Sequence, residues 1–142
     1  MEKEYKLAEQ YHLQGNNCIE SVLKTCNDTM NLQLPDVAIR MASGMGGGIG
    51  RSGCVCGALS GACLVIGALV GRLTPDEKPL PEVYKYTSEI HDRFKEHFGA
   101  TCCRALNTLS FGTPEYRKHC IKITATAADM VSDFVAEKGL LK

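Results

Sequence analysis

Eight cysteines in a chain of 142 residues carry most of the chemistry this sequence could perform. They are Cys18, Cys26, Cys54, Cys56, Cys63, Cys102, Cys103 and Cys120. Cys54-Val55-Cys56 is a C-x-C and Cys102-Cys103 is a vicinal pair, but no C-x-x-C, the spacing of thioredoxin-like sites and zinc ribbons, is present. A thiol acts as nucleophile or metal ligand in its thiolate form, and a helix N-terminus stabilises that anion through free N–H groups and the helix dipole. The caps expected from the sequence place Cys18, Cys54, Cys56, Cys102 and Cys103 in or beside the first turn of a helix, with Arg51 and Arg104 adding positive charge. Against this stands plain packing, because cysteine is a small apolar residue that fits crowded helix junctions. About half of the eight are expected to be such core filler.

A glycine-rich stretch, Gly44-Met45-Gly46-Gly47-Gly48-Ile49-Gly50-Arg51-Ser52-Gly53, runs into Cys54 and Cys56. Gly48 to Gly53 matches G-x-G-x-x-G. That fingerprint binds dinucleotides only between a strand and a helix, and here a helical pattern precedes it. The lysine of a phosphate-binding loop is also absent. The glycines instead let the backbone turn sharply and pass close to something: the central helix, a partner subunit or an inorganic cofactor. Gly46, Gly47, Gly48 and Cys54 are therefore candidates for contact with a bound group. The histidines, His12, His91, His97 and His119, fall mostly on charged faces and form no H-E-x-x-H. They read as surface residues, with His119 kept in reserve for its position beside Cys120.

These residues must be positioned by helices. Residues 2–14 carry Leu7, Ala8 and Tyr11 at helical spacing, and Gly15-Asn16-Asn17 breaks that helix. Asn17 can cap a second helix over roughly 18–29, with Ile19, Val22, Leu23 and Cys26 on its apolar face. Pro35 opens a short third helix bearing Val37, Ala38 and Met41, closed by Gly44. Ser52 is the expected cap of a central helix over roughly 53–71. There the pairs Gly57/Gly61 and Gly67/Gly71 each clear a face for close approach. Thr74 to Pro81 reads as a loop or single turn. Residues 81–98 form a helix with Val83, Tyr86, Ile90, Phe94 and Phe98 on one stripe, ended by Gly99. Thr101 is expected to cap a short helix over 102–109. Thr113-Pro114-Glu115 starts the last helix, 114–137, with Cys120, Ile123, Ala127, Val131 and Phe134 on its stripe. No alternating strand pattern stands out. The prediction is all-α, a compact bundle of five or six helices forming a single domain over 1–142.

Composition narrows the function classes. Formal net charge is zero and the chain has no Trp, which argues against an electrostatic or base-stacking nucleic-acid binder. Cys54 to Val70 is uncharged, but it is slightly short of the ~20 residues of a spanning helix and rich in small residues, so no stable membrane insertion is expected. Met1 to Lys6 is charged and leads into no apolar run. A cytoplasmic protein is therefore expected, in a compartment that keeps thiols reduced.

Taken in order, Gly15-Asn16-Asn17-Cys18, Ala42-Ser43-Gly44-Met45-Gly46-Gly47-Gly48, Cys56-Gly57-Ala58-Leu59-Ser60-Gly61, Phe98-Gly99, Cys103-Arg104-Ala105-Leu106 and Cys120 resemble the C_GCAxxG_C_C family, whose members are described as redox-active. The resemblance covers about residues 5 to 135. It implies that Cys18, Cys56, Cys103 and Cys120 are the shared cysteines, acting as redox thiols or as metal ligands, and that the other four are extra. It also implies a small redox protein working with an unidentified redox partner protein. Four convergent thiolates are expected to hold an iron–sulfur cluster for electron transfer, with backbone N–H groups of the glycine loop tuning it. Three alternatives remain open: dithiol/disulfide chemistry with Cys56 or Cys18 attacking, a non-catalytic zinc or disulfide protein, dimeric through the Gly57/Gly61 face, and a binding module for a small anion at the glycine loop. No C-x-x-C-H is present, so covalent haem is not expected.

Overall fold

The computed structural model describes residues 2–141. Regular structure among them is helical: α1 Glu2–Leu13, α2 Cys18–Met30, α3 Asp36–Ser43, α4 Gly46–Ile49, α5 Gly57–Val70, α6 Leu80–Phe98, α7 Cys103–Leu106 and α8 Pro114–Glu137. α4 and α7 are single turns of four residues, which leaves six longer helices, and no strand occurs among the described residues. The all-α architecture expected from periodicity is therefore the one observed.

Hydrophobic patterning explains which helices meet. α5 is apolar on every side, so it can be stable only if surrounded, and α2, α6 and α8 pack against it. α2 contributes Ile19, Val22, Leu23 and Cys26, all buried, and α8 contributes Ile123, Ala127, Val131 and Phe134. α6 adds Ile90 and Phe94, and Tyr86 meets the Phe134 ring edge-on at 6.4 Å. α1 lies along α8 and α2, joined to α8 by a seam of fully buried alanines, Ala8, Ala125 and Ala128. No helix among the described residues is long and apolar enough to cross a membrane.

The Gly57/Gly61 face is filled by α2 of the same chain. A Cβ at Gly61 would lie 3.2 Å from the Val22 Cβ, and one at Gly57 would overlap the Cys18 sulfur. The close approach that these two glycines allow is an internal crossing of α2 and α5. Gly67 has open space around it, so the second glycine pair clears no contact.

Several boundaries differ from the sequence expectation. The central helix starts at Gly57 rather than 53, with Cys56 as its N-cap and no capping by Ser52. The cause lies upstream: every residue from Gly47 to Arg51 has positive φ, as does Gly53, so the chain cannot enter a right-handed helix earlier. Cys54 consequently lies outside any helix. α7 is shorter than 102–109, capped at Cys102 and ended at Leu106. Asn107 stops it: its side chain donates to the Tyr116 carbonyl at 2.9 Å and accepts from the Leu109 N–H at 3.3 Å. On α3, Val37 and Met41 are 54% and 78% exposed rather than packed, and only Ala42 is buried.

Asn17 ties the entry to α2. Its side-chain oxygen accepts from the Glu20 N–H at 3.0 Å, Glu20 accepts from the Asn17 N–H at 2.9 Å, and its side-chain NH2 donates to the Ser43 carbonyl at 2.9 Å. Asn17→Ala is expected to lower the unfolding free energy by about 1–2 kcal/mol, since it removes the capping box. Asn17→Asp, which keeps the acceptor but not the Ser43 bond, is expected to recover part of that loss. Urea denaturation of the three proteins measures both steps.

Candidate thiol site

Cys18 occupies the first position of α2, immediately after the Asn17 cap. Its sulfur shares the lining of a large cleft and of a small inner cavity with Cys120, and the backbone donors around it are the N–H groups of Gly47, Ile19 and Cys18 itself. The Cys120 thiol and these donors outweigh burial and bring the Cys18 thiol down to about 6. The partner moves the other way: the Cys18 sulfur, then burial, pushes the Cys120 thiol up. The two shifts are opposed, favouring the thiolate at Cys18 and the thiol at Cys120. Two glycines make room for the pair. Gly57 leaves the space that the Cys18 sulfur fills, and Gly47, at φ 68, lines the cavity beside it.

Cys56 and Cys103 complete a ring of four. Cys18, Cys56, Cys103 and Cys120 all line one small cavity of about 20 Å³, together with Gly47, Gly57 and Leu106. Cys56 is held there by its N–H, which donates to the Thr101 carbonyl at 2.9 Å, and Cys103 is the first residue of α7. Burial, reinforced by the charge at Cys18, pushes the Cys56 thiol up to about 12. The Cys103 sulfur lies 3.5 Å from the Tyr116 hydroxyl. Burial and then that sulfur push the Tyr116 hydroxyl up.

A cleft of about 1260 Å³ opens onto the Cys18–Cys120 pair, and it is walled by α1, the glycine loop and the start of α8. Its lining carries Arg51, Arg117, Lys118 and Lys122 against the single acid Glu9. The Arg51 guanidinium stacks 4.1 Å over the Phe111 ring, which in turn packs edge-on against Tyr116 at 5.1 Å. His12 also lines the cleft. It is 8% exposed, and neither ring nitrogen meets a protein partner, so the expected surface histidine is in fact buried. The packing of α1 on α8 covers it, and burial holds its pKa down.

The remaining predicted contacts separate. Gly47 lines both cavities and Gly46 the cleft alone, pressed against the Asn17 side chain. Gly48 lines neither, because the Cys54 N–H packs over it and donates to its carbonyl at 3.2 Å. Cys54 is exposed, away from the ring of four, with its sulfur 3.2 Å from that of Cys102. Cys26 is sealed in the apolar core, and Cys63 is half-buried on α5. The His119 Nε2–H donates to the Leu106 carbonyl, 2.9 Å away, at the end of α7. Tyr116 and His12 are the lining residues that sequence patterning passed over. The i, i+4 spacing of Tyr116 and Cys120 on one helical face is the signal that could have found the first.

Four thiols are the right donor type for thiolate ligation of zinc or an iron–sulfur cluster. The cavity between them has the volume of about one water molecule, too little for a cluster without the walls moving apart. Among the described residues, no three His, Cys, Asp or Glu side chains stand in metal-holding geometry. As arranged, the sulfurs fit a Cys18–Cys120 pair flanked by Cys103 and by a Cys56 thiol that burial keeps protonated.

Stability should follow the pair. Between about 6 and the ordinary thiol value of 9.0 the unfolded chain holds a proton that folded Cys18 has lost, so stability rises with pH across that window and is lost as pH falls through about 6. Above 9.0 the sense reverses, because folded Cys56 keeps its proton to about 12. Urea midpoints under phosphine reductant should climb from pH 6 to about 9 and then decline. In Cys18→Ser the climb should be absent.

Residues 16–134 match the family described as "Putative redox-active protein (C_GCAxxG_C_C)". An uncharacterized protein of Archaeoglobus fulgidus is 31% identical over 122 residues, covering 80% of this chain and 81% of its own. No solved structure matches the chain. The family match takes in the capped start of α2, the glycine loop, α5 and the Cys120 turn of α8, and the chain therefore belongs to the C_GCAxxG_C_C family.

Proposed function

We propose that the chain is a dithiol/disulfide redox protein whose working pair is Cys18 and Cys120. The observation that carries this reading is the placement of Cys18 and Cys120 together on the lining of both the large cleft and the inner cavity, with Cys18 drawn to about 6 by Cys120 and by the backbone N–H groups around it. A thiolate present at neutral pH, open to a cleft and next to a second thiol, is the equipment for thiol–disulfide exchange.

The steps balance as follows. The Cys18 thiolate attacks one sulfur of a disulfide held in the cleft; that S–S bond breaks, and the departing sulfur leaves as a thiol after taking a proton. Formation of the mixed disulfide removes the negative charge and the acceptor at Cys18, the main causes that hold the Cys120 proton. Cys120 then ionises, attacks the Cys18 sulfur and releases the second thiol. Two electrons pass from the protein to the disulfide, and the protein keeps a Cys18–Cys120 bond. Four cations against one acid on the cleft walls favour a co-substrate of negative charge.

A second reading is an iron–sulfur or zinc centre on Cys18, Cys56, Cys103 and Cys120. It is favoured by the convergence of these four sulfurs on one cavity. The two readings part in one experiment. The protein is purified without oxygen, and iron, sulfide and zinc are measured with the absorption spectrum. It is then oxidised with glutathione disulfide and digested with trypsin. Pair chemistry predicts metal-free protein in which the Cys18 and Cys120 thiols are lost together and peptide 7–24 is linked to peptide 119–122. Cys18→Ser or Cys120→Ser should abolish that link and slow disulfide reduction at least ~100-fold, the scale of losing an activated nucleophile. Cys63→Ser should change neither. Stoichiometric metal lost on mutating any of the four would overturn the pair in favour of the centre.

A further inference from the structure

Two thiols outside the inner ring meet at the surface. The Cys102 thiol lies 3.2 Å from the Cys54 sulfur, with Cys54 exposed and Cys102 half-buried. Neither lines the cleft or the inner cavity. Their approach is built into the backbone. The Arg104 N–H donates to the Gly53 carbonyl at 3.3 Å and the Cys56 N–H donates to the Thr101 carbonyl at 2.9 Å. These two bonds clamp the segment 53–56 to the segment 101–104 on either side of the sulfur pair. The Arg104 side chain also lies over Gly53, where there is no Cβ to hold it off. The sulfurs need to close by only ~1.2 Å to reach bonding distance.

We propose that Cys54 and Cys102 form a second dithiol/disulfide pair, separate from the inner site, which exchanges at the surface with a disulfide-bearing co-reactant. Cys54 is the exposed sulfur and takes the first bond: its sulfur joins one sulfur of the co-reactant, whose own S–S bond breaks and releases a thiol. Cys102, already against it, then displaces the second thiol. The pair gives up two protons and two electrons, and both electrons reduce the co-reactant. The new bond staples the segment carrying Cys56 to the segment carrying Cys103, so the surface pair also braces one wall of the inner cavity. The Cys102 sulfur beside it pushes the Cys54 thiol up, against a smaller downward pull from Arg104.

The test uses the full reduced chain in two arms, glutathione disulfide as the small co-reactant and insulin as the protein one. After acid quenching and alkylation, trypsin gives peptide 52–72, with Cys54, and peptide 96–104, with Cys102. The expected product in at least one arm is a linked 52–72/96–104 pair whose fragmentation places the bond between Cys54 and Cys102. The faster arm identifies the source of the disulfide. The link should be lost in Cys54→Ser and in Cys102→Ser, while the inner 7–24/119–122 readout is unaffected by either change. A wild-type protein that yields only glutathione adducts at Cys54, or a link that survives in Cys54→Ser, would overturn the proposal. Because the two links are read on different peptides, failure of one pair is told apart from failure of the other.

Discussion

The seating of the Cys18 sulfur against Gly57 is the contact on which the rest of the site depends. It is a packing contact and an electrostatic one at once. With no side chain at Gly57, α2 and α5 cross closely enough for the sulfur to fill the gap, and the same closeness fixes the sulfur among N–H donors. Asn17 sets the angle of α2 from below, and the left-handed run from Gly47 to Arg51 brings a backbone N–H over the top. Ile49 and Arg51 adopt positive φ without being glycine, a conformation that costs about 1–2 kcal/mol each. The surrounding loop bonds, Gly50 to Gly44, Gly53 to Gly47 and Cys54 to Gly48, hold that strained turn in place. Strain retained beside a reactive thiol fits a loop kept for positioning rather than for stability.

Much of the helical frame was legible in the sequence because it is local. The stripes on α2, α6 and α8, the Asn17 and Thr113 caps and the Gly99 stop all act within a turn or two. The start of α5 was not legible for the opposite reason. An apolar, charge-free segment has no phase to read, and its first turn is set by the Cys56–Thr101 bond, which joins residues far apart in the chain. The end of α7 is decided by the same kind of contact, from Asn107 to Tyr116. α3 carries an apolar pattern that the fold leaves exposed at Val37 and Met41, since an eight-residue helix packed mainly along α2 buries only Ala42.

The site divides along the same line. The set Cys18, Cys56, Cys103 and Cys120 came from an ordered string of motifs, and the fold brings those four to one cavity. Which sulfur pairs with which could not be read, because Cys18 meets Cys120 and Cys54 meets Cys102 across whole helices. The C-x-C and C-C spacings left two thiols competing for each role. The cavities separate them: Cys56 and Cys103 line the inner cavity, whereas Cys54 and Cys102 line neither cavity and meet each other instead. His12 was misread because charged neighbours on α1 mark a surface helix, yet the alanine seam draws that helix flat against α8 and covers the ring.

The inner ring is electrostatically self-limiting. One anion at Cys18 raises the cost of a second at Cys120 or Cys56, as the upward shift of both shows. Ligation by all four sulfurs would require the Cys56 and Cys120 protons to leave against that repulsion, with a metal's own charge supplying the drive. Pair chemistry requires no such help. The proton that Cys120 keeps while Cys18 is anionic becomes removable once Cys18 is bonded to another sulfur, so the second step is prepared by the first. Cys56, protonated to about 12, stays out of that exchange and contributes shape. The glycine loop, the α2 cap and the α2–α5 crossing therefore converge on a single charge, and that charge, more than the number of sulfurs around it, determines what the site can do.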